Sequence, residues 1–355
     1  MTKEIYCCIH AISCITGPQK VRQQKVREFA KQHFSEADYD SKKYLAVFDN
    51  SCISTRHFCE PLNLWKKKPT FSQRNDLYIK WSSKLCAKAI EKCLKESRIK
   101  AKDISHVVFV STTGIACPGM LERLIFLIGM DMRVKRIPIW GYACVGGAMG
   151  IARAGECAKA SPGQWVMLIT DELCSLSLLP NDLSRENLVS ASLFSDGVTS
   201  VLLKAESKSS HHPAIIGTQS VLWKDSMEMM GLNIADNGLK VSLSRHIPDV
   251  VEKNIEAEVR LFLGKCGLKQ DQIKHFIFHP GGKKILEAFQ NGLSLDAHTL
   301  RHSWNILKNY GNMSASSVIF VLDEYLKSGE IKKGDLGLMA ALGPGLSCEL
   351  VLLRF

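Results

Sequence analysis

A cysteine, a histidine and an asparagine stand in three glycine-containing motifs of this 355-residue chain. Cys144 lies in residues 140–152 (WGYACVGGAMGIA), where the small residues after the cysteine predict a closely packed helix. Unpaired N–H groups and the dipole at a helix start favour a thiolate, which is the nucleophilic form of cysteine. We therefore expect Cys144 to be a nucleophile and the other twelve cysteines to be structural.

The other two motifs could assist such a nucleophile. His279 ends an apolar run and precedes Pro-Gly-Gly, so its ring could deprotonate a thiol, donate a hydrogen bond to an oxyanion or cap a turn. Asn312, within Tyr-Gly-Asn-Met-Ser, could cap a helix, and its neutral amide is also a good oxyanion donor. The residues alone leave these roles open.

Strands alternate with helices along the chain, which is typical of an α/β protein. Apolar residues at helical spacing predict helices over 85–94 and 250–263. Short apolar runs predict strands at 106–110, 165–169, 198–203, 275–278, 336–341 and 348–353.

Two parts of the chain repeat the same order of elements. Residues 104–109 match residues 273–278, which predicts two copies of one α/β unit, residues 1–210 and 211–355. The polar segment 206–212 is the predicted boundary between them.

The repeat also predicts where the chemistry lies. Cys144 and Asn312 are 168 positions apart, and so are Ser111 and His279. The three motifs therefore fall at the ends of equivalent elements, where ligands gather in open α/β sheets.

The composition narrows the class of protein. A chain that is 46% hydrophobic and 23% charged is not disordered, and no run approaches the about 18 apolar residues of a membrane span. Scattered cysteines without a CxxC pair predict reduced thiols in the cytoplasm and no metal site. The net charge of +11 predicts an anionic partner, and the absence of a nucleic-acid motif favours a phosphate-bearing small molecule.

Together the motifs resemble the type III polyketide synthases, the chalcone synthase-like enzymes. Besides Cys144, His279-Pro-Gly-Gly and Gly-Asn312-Met-Ser, the resemblance includes Phe-Ser-Asp-Gly at 194–197 and Leu-Gly-Pro-Gly at 342–345. It implies a thiolase-like αβαβα sandwich built from a duplicated α/β unit. It also implies a homodimer that takes acyl-CoA and malonyl-CoA as substrates and needs no metal or redox cofactor.

The resemblance implies a mechanism. Cys144 would carry a starter acyl group, and His279 would maintain its thiolate. His279 and Asn312 would stabilise the enolate that malonyl-CoA forms on losing carbon dioxide, and the enolate would attack the acyl group. A ketoacyl synthase III-like enzyme, which makes one condensation on a carrier-bound malonyl group, is the nearest alternative. A catalytically silent scaffold that binds acyl-CoA or a partner is the alternative outside the enzymes.

Further residues are implied to surround the substrates. Phe194 corresponds to a gatekeeper aromatic, and Val241 stands where plant members have a second gatekeeper phenylalanine. The small residues Thr113, Cys117 and Cys174 leave volume that an aromatic starter would not fill. We therefore hypothesise a fatty acyl starter and a pyrone or resorcinol-type product. The remaining implied substrate contacts are Ser177, Gly343, Pro344 and Ser314, and Arg56 is implied to bind the phosphates of coenzyme A.

Overall fold

The computed structural model describes residues 5–206 and 212–355, so most of the predicted boundary segment, 206–212, lies outside the described residues. The strands are β1 (Tyr6–Thr16), β2 (Gln19–Arg22), β3 (Thr55–Phe58), β4 (Ile104–Val110), β5 (Lys135–Ile139), β6 (Trp165–Leu173), β7 (Asp196–Glu206), β8 (Ala214–Leu222), β9 (Met230–Ala235), β10 (Gly238–Leu243), β11 (Ile273–Phe278), β12 (Leu336–Gly343) and β13 (Ser347–Arg354). The helices are α1 (Gln23–His33), α2 (Ser41–Tyr44), α3 (Ala46–Asp49), α4 (Phe71–Ser97), α5 (Met120–Ile128), α6 (Gly146–Ala160), α7 (Cys174–Ser177), α8 (Arg185–Leu193), α9 (Ile247–Lys265), α10 (Lys283–Gly292), α11 (Arg301–Tyr310) and α12 (Ala315–Lys327). All predicted strands and both predicted helices are confirmed, with their ends extended.

Nine strands form one mixed sheet in the order β11-β12-β13-β8-β1-β7-β6-β4-β5. In the N-terminal set, β4 pairs with β6 in parallel, and the pairs β6–β7 and β7–β1 are antiparallel. The C-terminal strands β11, β12, β13 and β8 follow the same order with the same senses. The two sets meet at a short antiparallel pairing of β1 with β8. The predicted duplication is confirmed.

Helices α6 and α12 form the layer between the two sets of strands. Their apolar residues share one core with strands of both halves. Helices α4 and α5 cover the outer face of the N-terminal half, and α9 and α10 cover that of the C-terminal half. The resulting five layers are the predicted thiolase-like αβαβα sandwich.

Gly147 explains why the sequence after Cys144 is rich in small residues. A Cβ at this glycine would lie 2.0 Å from the backbone oxygen of Ala315, so only glycine lets α6 and α12 approach so closely. This contact brings together the segments that lead into the two helices, and those segments carry Cys144 and Asn312.

Over the described ranges, every helix is too short or too polar to cross a bilayer.

Candidate active site

Cys144 lies in a single 3-10 turn, Ala143–Val145, directly before α6 rather than within its first turn. Ala143 has a φ of +41°, a left-handed conformation that a residue with a side chain adopts only when its surroundings hold it. Here the N–H of Ala143 donates to the Thr112 hydroxyl at 3.0 Å. Cys144 therefore lies on a strained turn that a neighbouring strand end holds in place.

The electrostatics of Cys144 differ from the expectation drawn from a helix start. Burial raises the pKa of its thiol to about 11, although hydrogen bonds from Ser314 and Asn312 act in the opposite direction. The expected net lowering of the thiol pKa is wrong, because desolvation outweighs these hydrogen bonds and the backbone N–H groups. Cys144 is a thiol at neutral pH until a base removes its proton.

Asn312 lies three residues before α12, and its side chain is fixed at both ends. Its Nδ2 lies 3.8 Å from the Cys144 Sγ and donates to the backbone oxygen of Gly281 at 3.1 Å. Its Oδ1 accepts from the N–H of Ser314 at 2.8 Å. This orientation holds the amide N–H₂ group next to the thiol, as an oxyanion donor requires.

His279 follows β11, and its backbone N–H donates to Ala340 in β12 at 2.8 Å. The ring is 1% exposed, and neither of its nitrogens has a hydrogen-bond partner within the described part of the chain. Burial lowers the pKa of the imidazole to about 3, so it is neutral at pH 7. A neutral ring offers one N–H donor and one lone pair, which can accept a proton from a thiol. Asn312 links Cys144 to the loop that carries His279, since it contacts both the Cys144 thiol and the Gly281 carbonyl of that loop.

The thiol opens onto a cavity of about 720 Å³, a volume that includes its open mouth. Phe194 is the one aromatic side chain that lines it in the described structure. Its backbone pairs with that of Asn312 in an isolated parallel bridge, which ties the two motifs together across the halves. The predicted substrate contacts that line the cavity are Thr113, Cys174, Ser177, Phe194, Val241, Ser314 and Pro344.

Two predicted substrate contacts lie elsewhere. Cys117 is exposed and does not line the cavity, because the loop after Thr113 carries it to the surface. Gly343 packs behind the turn of Cys144: a Cβ there would lie 2.5 Å from Cγ1 of Val145 and 2.7 Å from the backbone oxygen of Tyr142. Gly343 therefore makes room for the turn that carries Cys144.

The structure contradicts the predicted phosphate contact of Arg56. Its side chain is completely buried, and its Nη1 donates to the backbone oxygen of Phe194 at 2.9 Å. Burial lowers the pKa of the guanidinium to about 9. A coenzyme A phosphate cannot reach this group, which instead supports the backbone next to Asn312.

One wall of the cavity, the hairpin of β9 and β10, was not predicted from the sequence except for Val241. Leu239, Lys240 and Leu243 line the cavity together with Val241. Lys240 Nζ lies 3.1 Å from Asp182 Oδ2, so the otherwise apolar wall carries one ion pair. The Asn-Gly pair before Leu239 is a hairpin signal, and the alternation along β10 would have grouped Leu239 and Leu243 with Val241.

Glu172 is a second residue that the sequence analysis left without a role. It is completely buried, and its Oε2 accepts from the N–H of Thr112, which lines the cavity. Burial and the neighbouring Asp171 raise the pKa of Glu172 to about 8. The carboxyl group is thus largely neutral at pH 7.

Comparison with known proteins identifies the family. The profile of the chalcone and stilbene synthase N-terminal domain matches residues 4–207, and that of the C-terminal domain matches residues 215–355. The chain belongs to the chalcone and stilbene synthase family. It is a type III polyketide synthase by family and therefore an acyltransferase, which selects this class over the ketoacyl synthase III-like and scaffold alternatives.

Individual relatives support the same family assignment. A Bacillus subtilis (strain 168) protein that is provisionally named a chalcone synthase is 39% identical to this chain. The match covers 94% of this chain and 94% of that protein. The 1,3,6,8-tetrahydroxynaphthalene synthase of Streptomyces peucetius subsp. caesius is 32% identical over 98% of this chain and 93% of its own. The crystal structure of the Streptomyces coelicolor A3(2) enzyme of that name, a bacterial type III polyketide synthase, superposes with a TM-score of 0.92 at 25% identity. It covers 98% of this chain and 99% of that one.

Proposed function

We propose that this polyketide synthase loads a fatty acyl group from acyl-CoA onto Cys144, extends it with malonyl-CoA and releases a pyrone or resorcinol-type product. The observation that carries the proposal is the contact of Asn312 with the Cys144 thiol beside a mostly apolar cavity. The chemistry uses these side chains alone, without a metal or redox cofactor.

In the loading step, the lone pair of His279 accepts the thiol proton of Cys144. The thiolate attacks the carbonyl carbon of the acyl-CoA, and the carbonyl oxygen becomes an oxyanion that receives a hydrogen bond from Asn312 Nδ2. The bond to the coenzyme A sulfur then breaks, and the departing sulfur takes the proton from His279. The products are acyl-Cys144 and free coenzyme A.

In the extension step, malonyl-CoA loses carbon dioxide and leaves the enolate of acetyl-CoA. Asn312 Nδ2 and the N–H of neutral His279 stabilise the enolate oxygen. The enolate carbon attacks the acyl carbonyl, a carbon–carbon bond forms, and the bond to the Cys144 sulfur breaks. The β-ketoacyl-CoA product can return to the thiol for another round. Each such donor is typically worth about 3–4 kcal/mol of barrier.

The shape of the cavity supports a fatty acyl starter. Thr113, Cys174 and Val241 are small, and they line the cavity where larger side chains would shorten it. The leucines of the β9–β10 hairpin and of the segment after α7 add apolar surface that suits an alkyl chain.

A panel of starters tests the proposal. Purified protein is incubated with malonyl-CoA and acetyl-, hexanoyl-, lauroyl-, palmitoyl- or benzoyl-CoA, and the products are identified by mass spectrometry. We expect lauroyl- and palmitoyl-CoA to give multiply extended products faster than benzoyl-CoA. Much faster turnover of the aromatic starter would overturn the fatty acyl assignment. Formation of 1,3,6,8-tetrahydroxynaphthalene as the main product would instead group the chain with its Streptomyces relatives.

We further propose that the protein acts as a homodimer in the cytoplasm. Large apolar side chains cluster on α5 and the segment after it, with Phe126 73% and Met132 56% exposed. The neighbouring β5 is the outer strand of the sheet. A second copy would cover this surface. Light scattering should give the mass of a dimer for the native chain and a smaller mass for Phe126→Asp; a native monomer would contradict the proposal.

A further inference from the structure

Arg74 is a buried arginine without an acidic partner in the described structure. Its side chain is 2% exposed, and burial lowers its pKa to about 10, so it stays charged at neutral pH. The guanidinium instead donates to three backbone oxygens. Its Nη1 bonds Pro69 at 2.8 Å, its Nε bonds Leu176 at 3.1 Å and its Nη2 bonds Asn237 at 2.6 Å. Burying a charge is costly, so three charge-assisted hydrogen bonds indicate a defined task for this side chain.

Two of the three oxygens belong to elements that line the active-site cavity. Leu176 lies in α7, whose Cys174 and Ser177 face the cavity. Asn237 lies in the turn of the β9–β10 hairpin, whose Leu239 and Val241 face it as well.

Among the described strands, β9 and β10 pair with each other and do not join the nine-stranded sheet. One end of the hairpin is held where the N–H of Gly345 donates to the backbone oxygen of Met230 at 3.1 Å. The opposite end, the turn, needs a separate link. Arg74 bonds to the hairpin turn, and the ion pair of Lys240 with Asp182 holds its side. Gly238 fits this arrangement closely: a Cβ there would lie 2.7 Å from Arg74 Nη2 and 3.2 Å from a methyl carbon of Leu179.

We propose that Arg74 is a positioning residue for starter selection. It holds α7 and the β9–β10 hairpin at a fixed separation, and this separation sets which acyl chains fit between them. The inference rests on the proposed function, since these walls select a starter only if the cavity receives the acyl chain. Arg74 acts through the backbone of the two walls and touches none of the reacting atoms.

The test compares Arg74→Met with Arg74→Lys in the full-length protein. Acyl transfer to Cys144 from hexanoyl-CoA and palmitoyl-CoA is followed by mass spectrometry, together with polyketide formation. Losing the bonds to both walls should change the ratio of kcat/KM for the two starters roughly tenfold, the size expected for a lost charge-assisted hydrogen bond. Arg74→Lys keeps the charge and one bond, so it should restore part of the ratio. Iodoacetamide labelling of Cys144 should stay within about twofold of the native rate, since Asn312 is untouched.

Two further variants keep the test decisive. Gly238→Ala retains the arginine but places a methyl group against it, at a backbone φ of +130° that also strains an alanine. Both effects displace the hairpin turn from Arg74, so the starter ratio should shift in the same direction even if Arg74→Met folds poorly. Lys84→Met, which removes a cation from the exposed side of the same helix, should leave the ratio unchanged.

An unchanged starter ratio in the folded variants overturns the inference, and so does an equal loss of labelling, acylation and extension. Selective acylation of Cys144 by the native protein without any extended product would count against the proposed function and leave the inference standing.

Discussion

Replacing Asn312 by alanine should separate loading from decarboxylation. The Asn312 Nδ2 lies 3.8 Å from the Cys144 Sγ, so it is placed to donate to an oxygen that develops charge beside the sulfur. Removing one oxyanion donor costs about 3–4 kcal/mol of barrier, which is roughly 10²–10³ in rate. Decarboxylation of malonyl-CoA should slow by this factor, while Cys144 should still accept an acyl group.

The same side chain also has a structural role that the experiment must account for. Its Oδ1 accepts from Ser314, and its Nδ2 donates to Gly281. Alanine leaves both of these backbone groups unpaired, at a cost of about 1–3 kcal/mol each. The variant should therefore melt at a lower temperature, and its rates must be measured below its unfolding transition. Asn312→Asp keeps the acceptor for Ser314 but loses the donor, so it should lose decarboxylation as well.

The assay measures acetyl-CoA formed from malonyl-CoA in the absence of a starter, and a separate reaction measures acylation of Cys144 by mass spectrometry. Asn309→Ala is the matched control, because the Asn309 side chain is half-buried and, within the described residues, donates only to Asn305. The control should retain both activities. Decarboxylation by a folded Asn312→Ala protein within about tenfold of the native rate would refute the assigned donor role.

Three further predictions follow from the site. His279→Ala should slow iodoacetamide labelling of Cys144 at least roughly tenfold at pH 7. The difference between the variant and the native protein should vanish toward pH 11, where the buried thiol ionises unaided. Identical labelling profiles would show that His279 is not the base. The folded state holds the Glu172 proton between pH 4.5 and about 8 while the unfolded chain does not, so stability should fall as pH rises through this window. Glu172→Gln should reduce that fall by up to roughly 5 kcal/mol in urea titrations, and an unchanged pH dependence would contradict the neutral carboxyl. Val241→Phe should lower kcat/KM for palmitoyl-CoA roughly a hundredfold and affect hexanoyl-CoA little; equal effects on both starters would show that the alkyl chain does not pass Val241.

The places of the three motif residues in the fold could be predicted because their signals are local. Cys144, His279 and Asn312 each follow or precede a regular element within a few residues, and the repeat indicated that those elements are equivalent. Hydrophobic periodicity predicted the strands and helices that carry them, since each half is an alternation of buried strands and amphipathic helices.

The features that sequence analysis missed depend on distant parts of the chain. Arg56 is buried because the backbone of Phe194 packs over it, 138 positions away. The high pKa of the Cys144 thiol arises from burial at the junction of both halves, which a local helix-start argument does not include. The β9–β10 hairpin carried a local turn signal, but the side chains that contact it there, Arg74 and Asp182, are distant in sequence.

The most direct test of the central claim is the site of acylation. The native protein is incubated with palmitoyl-CoA without malonyl-CoA and digested, and the cysteine peptides are analysed by mass spectrometry. The structure predicts a palmitoyl thioester on Cys144, no adduct on the other twelve cysteines, and no adduct in Cys144→Ala. An acyl group on a different cysteine, or polyketide formation that survives in Cys144→Ala, would contradict the account.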